Sequence, residues 1–225
     1  MEKQKIVKNN IDIKVEPKKS KDKSIRFIPI HEMIKKNYTQ VVFFDFEMNC
    51  KLNSHKDSGN EIISLGAARY KKQNGVEKEK IFYSLVRPTK NPLLTSICRE
   101  LTGIEQKDID CARGFNKVMK DFRNWIGDIN ETLFVSWSDE DIRAINRDYE
   151  INQGDRELCD VINSSYADFQ LEFSKYLAAK NRVSLKNALK AYNIEFIGHQ
   201  HNAAYDALNL ALLYDAYDRK RKTHI

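Results

Sequence analysis

A chain of 225 residues, 41% hydrophobic and 10% aromatic, carries enough apolar material to bury a core, which excludes disorder throughout and allows one large domain with an extension. Its apolar stretches reach only four or five residues, no apolar run follows the charged start MEKQKIVKNN, and Cys50, Cys98, Cys111 and Cys159 form no CxxC pair; these features argue against a membrane span, a secretion signal and structural zinc, and suit a reducing cytoplasm. The net charge of +6 lies in residues 1–40, with 11 Lys and Arg against 5 Asp and Glu, while the other 185 residues hold 27 of each, so any anionic ligand of the body must be held by local design.

Residues 1–38 read as a basic, flexible extension, because 15–24 (VEPKKSKDKS) is charged, Lys-rich and aperiodic. Residues 25–34 are more apolar and suited to docking, although Pro29 argues against one continuous helix there. The folded domain is expected over 39–225. Its first strand is VVFFDFEMNC (41–50), apolar on both faces up to Phe46 and so covered on both sides. A second strand is expected over 61–72, an Asn74-Gly75 turn after it, and a third strand over 80–88, which makes an antiparallel meander. Helical spacing follows at 93–101 and at 115–126, where Phe115, Val118, Phe122, Trp125 and Ile126 share a face. A fourth strand is expected at 132–137, a helix from Ser138 to Tyr149, a fifth strand at 158–162, and helices at 166–179, 184–192 and about 203–222. The order predicts an α/β domain with a mixed sheet between helical layers.

Acidic residues inside this apolar pattern carry the chemical signal. Asp45 and Glu47 are two apart on a strand and therefore share one face. Two unpaired carboxylates beside Phe43, Phe44 and Phe46 repel each other and cost several kcal/mol each (roughly) on desolvation, which a divalent cation removes; a strand end running out to water is the competing reading. Asp139, Glu140 and Asp141 follow the fourth strand, where Ser138 and Asp141 are spaced as a capping box and acids suit a helix start. In the last segment, GHQHNAAYDALNLALLYDAY, Asp206 lies among small alanines on the helix face of Ala203, Ala207, Leu210, Ala211 and Tyr214. Small neighbours let that helix approach the sheet closely.

Taken in order, Asp45/Glu47 in DFE, Asp141 after the fourth strand and His201/Asp206 in H-x-A-x-x-D resemble the signature of the DEDDh 3′–5′ exonucleases. The resemblance covers about residues 39–220, and FDFEMNC, NPLLTSICRELTGIEQKDIDCARGF and FVSWSDED resemble the Eri-1-like exoribonucleases and bacterial sporulation-inhibitor relatives within that family. Two positions depart from it or compete: Ser138 stands where the family has Gly, and Asp139 competes with Asp141. The family spacing to Ile145 favours Asp141. His201 rather than His199 has the five-residue offset from Asp206, and Asn202 where a Tyr subclass has its tyrosine favours the His subclass.

The resemblance implies an RNase H-like five-stranded mixed sheet, three strands antiparallel and two parallel. It implies two Mg²⁺ or Mn²⁺ ions held by Asp45, Glu47, Asp141 and Asp206, with His201 as general base. The implied reaction is 3′–5′ hydrolysis of single-stranded RNA or DNA, RNA favoured, releasing nucleoside 5′-monophosphates. Met48 is expected against the terminal ribose, and Leu101 and Thr102 against the terminal base; Trp137 suits either a base or the core. The alternatives are a protein-interaction regulator on an exonuclease scaffold, and a single-strand binding module. No membrane partner is expected.

Overall fold

The structure, a computed structural model, describes residues 28–49, 60–71 and 73–223. Strand β1 (Gln40–Met48) owes its central place to residues 41–44, β-branched and aromatic and all completely buried. Alternation divides it between two cores. Val42, Phe44 and Phe46 point to one side of the sheet, and Val41 and Phe43 to the other. Asp45 and Glu47 continue the second face.

Strand β2 (Ile62–Lys71) pairs antiparallel with β1, and β4 (Phe82–Arg87) pairs antiparallel with β2. Between them Gly75, at φ 71°, opens the two-residue strand β3 (Gly75–Val76), which returns along β2 at Tyr70 and Lys71. Short helices α2 (Ser96–Thr102) and α3 (Gln106–Asp110) cross the chain to β5 (Arg113–Gly114), a two-residue edge on β4. Thr95 caps α2 through the Cys98 amide, and Gly103 at φ 71° ends it, so the helix starts later than the apolar spacing at 93 suggested.

Helix α4 (Phe115–Ile126) occupies the predicted span and buries Phe115, Val118, Phe122 and Ile126 on the first core. Strand β6 (Thr132–Ser136) lies parallel to β1, and α5 (Glu140–Asn152) follows. Residues 158–162 are not the fifth strand. They lie in helix α6 (Glu157–Ser164), where Leu158, Cys159 and Ile162 are buried at helical spacing and Asp155 accepts the Glu157 amide. A short apolar run fits either period, and the tertiary partner decided it. The fifth long-range strand is instead β7 (Tyr166–Asp168), parallel to β6; the segment expected to begin a helix at 166 pairs first, and Asp168 then caps α7 (Phe169–Tyr176) through the Leu171 amide. The sheet runs β5-β4-β2-β1-β6-β7, so its five principal strands are three antiparallel and two parallel, as expected.

Helices α4, α5 and α6 cover one face. The other is covered by α7, α8 (Leu185–Ala191), α9 (Ala203–Thr223) and α1 (Ile30–Asn37). Helix α1 corrects the expected boundary at residue 38. Ile30 and Ile34 are buried in the second core, and the Ile30 amide donates to Glu172 at 2.9 Å, whose other oxygen accepts Tyr217 at 3.0 Å. The helix starts directly after Pro29, which is itself extended, while residues 25–27 lie outside the described residues. The charged stretch 15–24 lies outside the described residues.

Candidate active site

Strand alternation places Asp45 and Glu47 on the α9 face, and a register shift between Glu47 and Met48 bends the strand where the carboxylates end. The last helix supplies the third acid. Buried Ala203, Ala207 and Ala211 let α9 lie close on β1 and β2, which brings Asp206 to the strand. One carboxylate oxygen from each of Asp45, Glu47 and Asp206 falls within 4.8 Å of the others.

His201 stands just before α9 with φ 62°, a left-handed conformation, and lines the same cavity as the three acids. Asn202 then caps the helix, its side chain accepting the Ala204 and Tyr205 amides at 3.1 and 3.3 Å. The segment before it is pinned from inside the helix. Buried Asn209 accepts the Ile197 amide at 3.0 Å and donates to the Ile197 carbonyl at 2.9 Å. His199 is exposed and absent from the cavity wall.

Asp141 is buried and turned inward: its Oδ1 accepts the Phe46 amide at 3.0 Å. The Ser138–Asp141 capping box therefore does not form. The Ser138 hydroxyl accepts the Glu140 amide instead, at 3.3 Å. Asp141 lines the cavity beside Asp45, outside the group of three. Asp139 faces away and pairs with Arg143 and, at 3.6 Å, Arg182.

Four carboxyls in one partly dry cleft disturb one another. Burial, followed by Asp141, Glu47 and Asp206, raises Asp45 well above the usual carboxylate range. Burial and then Asp206 and Asp141 push Glu47 up to about 8. Burial lifts Asp141 to about 7 against the opposing Phe46 hydrogen bond, and lifts Asp206 to about 6 against hydrogen bonding from His201. By contrast Asp139 is held below the ordinary value by its hydrogen bond from Arg143. Among the described residues no Lys or Arg pairs with any of the four inner acids. Oxygen donors this close fit a hard divalent cation better than a softer metal.

A model of the exonuclease family described as RNase T matches residues 42–214, from the start of β1 to the middle of α9. The chain belongs to the exonuclease family. This exonuclease domain is similar to ERI1 exoribonuclease 2 of Danio rerio, 29% identical over 80% of the chain and 35% of the relative. It is also similar to a probable 3′–5′ exonuclease, KapD, of Bacillus subtilis, 24% identical over 83% of the chain and 87% of the relative. The chain thus spans about a third of the length of the ERI1 relative. Among solved structures, the nuclease domain of 3′hExo, a DEDDh family member bound to rAMP, superposes with TM-score 0.73 at 20% identity, over 82% of this chain and 94% of that one. The cell-death related nuclease CRN-4 superposes with TM-score 0.70 at 22% identity, over 82% and 65%. The fold is accordingly RNase H-like.

The exonuclease cleft encloses about 480 Å³. Met48 lines it, with its carbonyl 3.7 Å from Cys98 Sγ. Leu101 and Thr102 are outside its wall: Leu101 is exposed on α2, and the Thr102 hydroxyl donates to the Cys98 carbonyl at 2.8 Å. Trp137 is buried in the second core, with its ring edge-on to Phe169 at 5.8 Å, and also lines the cleft. Ser184, Leu185, Lys186, Phe196 and Gln200 complete the opposite wall. Nothing in their local sequence marks them, since they reach the cleft only through packing of α8 and the loop after it. No described helix is long and apolar enough to cross a membrane.

Proposed function

We propose that the chain is a 3′–5′ exonuclease of single-stranded nucleic acid, RNA preferred over DNA, that releases nucleoside 5′-monophosphates. The observation that carries this reading is the convergence of Asp45, Glu47 and Asp206 within 4.8 Å beside His201. The RNA preference is supported by the exoribonuclease names of the ERI1 relatives. Asp45, Glu47 and Asp206, with Asp141 behind them, would hold two divalent cations, Mg²⁺ or Mn²⁺. Bound there, such ions supply charge stabilisation at the attacking and leaving oxygens of an in-line displacement.

The protein's own groups do the remaining work. His201 accepts the proton of the attacking water on an imidazole nitrogen, from a loop that Asn209 and Asn202 keep in place. Asp141 anchors the β1 backbone at Phe46 and so holds Asp45 and Glu47 in register. Met48 meets the terminal ribose at the cleft wall, and Leu101 and Thr102 extend the contact to the base from outside it. Buried, mutually repelling acids are costly to a scaffold used only for protein interaction, which is why the nuclease reading is preferred.

The deciding experiment incubates 5′-labelled RNA and DNA oligomers with the protein in Mg²⁺ or Mn²⁺, with and without EDTA. A ladder shortening from the 3′ end, faster on RNA and abolished by EDTA, is expected. Oligomers left intact with either ion defeat the proposal.

A further inference from the structure

Gly66 stands in the middle of β2, directly opposite Asp45 in the antiparallel pairing. A Cβ at this position would lie under 3.0 Å from the carbonyl carbon and oxygen of Ala203 and from the amide nitrogen of Ala204, closer than real Cβ atoms come. The atoms it meets are backbone, so no rotamer change relieves the overlap.

The sheet side has no room to yield. Strand β2 runs between β1 and β4, and Ile63, Leu65, Ala67 and Ala68 around Gly66 are all fully buried. The helix has to give instead. Ala203 is the first residue of α9, with His201 two residues before it and Asp206 three after. Restoring an ordinary contact of about 3.5 Å from one of 2.0 Å moves this turn by about 1.5 Å. Asp45 and Glu47 stay behind on β1, and Mg²⁺-type sites tolerate little error in oxygen placement.

We infer that Gly66 is a positioning residue for the active site: its missing side chain seats the first turn of α9 on β2 and thereby sets Asp206 and His201 against Asp45 and Glu47. This role presupposes the nuclease reading of the site and assigns the residue that fixes its ligand spacing. An isolated glycine inside a strand pattern is also a recognised sign of close backbone approach.

The test compares wild type with Gly66→Ala and with Gly114→Ala, where nothing lies within 4 Å of an added Cβ. Four quantities are measured: Mn²⁺ affinity by calorimetry, kcat and KM on a labelled RNA oligomer, amide hydrogen exchange of residues 203–207 in EDTA, and the melting temperature. For Gly66→Ala we expect Mn²⁺ affinity to fall by about 10-fold or more and kcat by ~10²-fold with little change in KM. Exchange over 203–207 should quicken while the melting temperature shows the variant folded, and excess Mn²⁺ should recover part of kcat. Gly114→Ala should match wild type. If Gly66→Ala fails to fold, Ala203→Val lifts the same turn from the helix side and carries the same expectations.

A folded Gly66→Ala with wild-type Mn²⁺ affinity overturns the role of Gly66, whatever its exchange rates. Wild type that binds no Mn²⁺ and leaves both RNA and DNA intact instead overturns the nuclease reading itself.

Discussion

Each inner carboxyl of this cleft carries a proton nearer to neutrality than a free carboxyl does, and the consequence for stability has a definite sign. Glu47, Asp141 and Asp206 titrate at about 8, 7 and 6 in the metal-free fold, but near 4 once unfolded. Between those limits the native state binds more protons than the unfolded chain, so its stability falls as pH rises. The metal-free protein should therefore melt at a higher temperature at pH 5 than at pH 8, in EDTA, and Mg²⁺ added at pH 8 should restore the difference. Asp45→Asn should raise the EDTA melting temperature at pH 8, flatten the pH dependence, and abolish nearly all nuclease activity. Equal melting at the two pH values in wild type would show the acids to be solvated and apart.

At the same scale, the two histidines and the two competing aspartates separate cleanly. His201→Ala should lower kcat by ~10²–10⁴-fold, the usual loss of a general base, while His199→Ala stays mild because that side chain is exposed and away from the cleft wall. Asp141→Asn should cripple turnover. Asp139→Asn should change turnover little, because its pairing with Arg143 is exposed and screened by solvent. Steady-state kinetics on one RNA oligomer checks all four.

Among the elements, α9 and the loop before it carry Asp206 and His201, and Asn209 is their clasp. Both ends of its buried amide are used, on Ile197 and on the Tyr205 carbonyl at 2.8 Å. Asn209→Ala leaves the Ile197 groups unpartnered and should cost about 1–3 kcal/mol in denaturant unfolding. It should also reduce kcat, because His201 is carried by the loop so released. Unchanged kcat with reduced stability would confine Asn209 to a structural role. Helix α1 tests docking in the same way. Removing residues 1–37 deletes two buried isoleucines, each worth ~1.5–3 kcal/mol, and leaves Glu172 without the Ile30 amide, so the melting temperature should drop.

Over the whole molecule, charge and chemistry are segregated. The body from residue 41 onward is balanced, whereas residues 1–27 hold 9 Lys and Arg against 4 Asp and Glu. The salt dependence of single-strand binding should accordingly depend on those residues. Each phosphate neutralised adds about −0.7 to the slope of log K against log salt, so removing residues 1–27 should flatten it by roughly two units if about three contacts are lost. Cleavage at saturating RNA in a single turnover should not change, because every candidate metal ligand remains. An unaltered slope would assign the charge to some task other than RNA.

The local signals in the sequence were enough to single out Asp45, Glu47 and Asp206, which the fold brings together. Apolar strand residues flanking Asp45 and Glu47, the alanine face of α9 around Asp206, and the 115–126 helix all follow from periodicity, because period 2 and period 3.6 each bury one predictable face. The order of Asp45, Glu47, Asp141, His201 and Asp206 carried the family in the same way. Tertiary structure decided what periodicity leaves degenerate. Residues 158–162 fit strand or helix, and packing on the first core made them helix while Tyr166–Asp168 took the sheet position. The apolar segment around Ile30 and Ile34 gained its place from the second core and from Glu172, 142 residues away from Ile30, which accepts its amide. Asp141 was spaced to cap its own helix, yet it is turned to the Phe46 amide, since a buried backbone donor on β1 needs a partner and a solvent-facing helix start does not. The cleft wall from Ser184 to Gln200 and the contact between Gly66 and Ala203 arise from chain crossings, which no local pattern encodes.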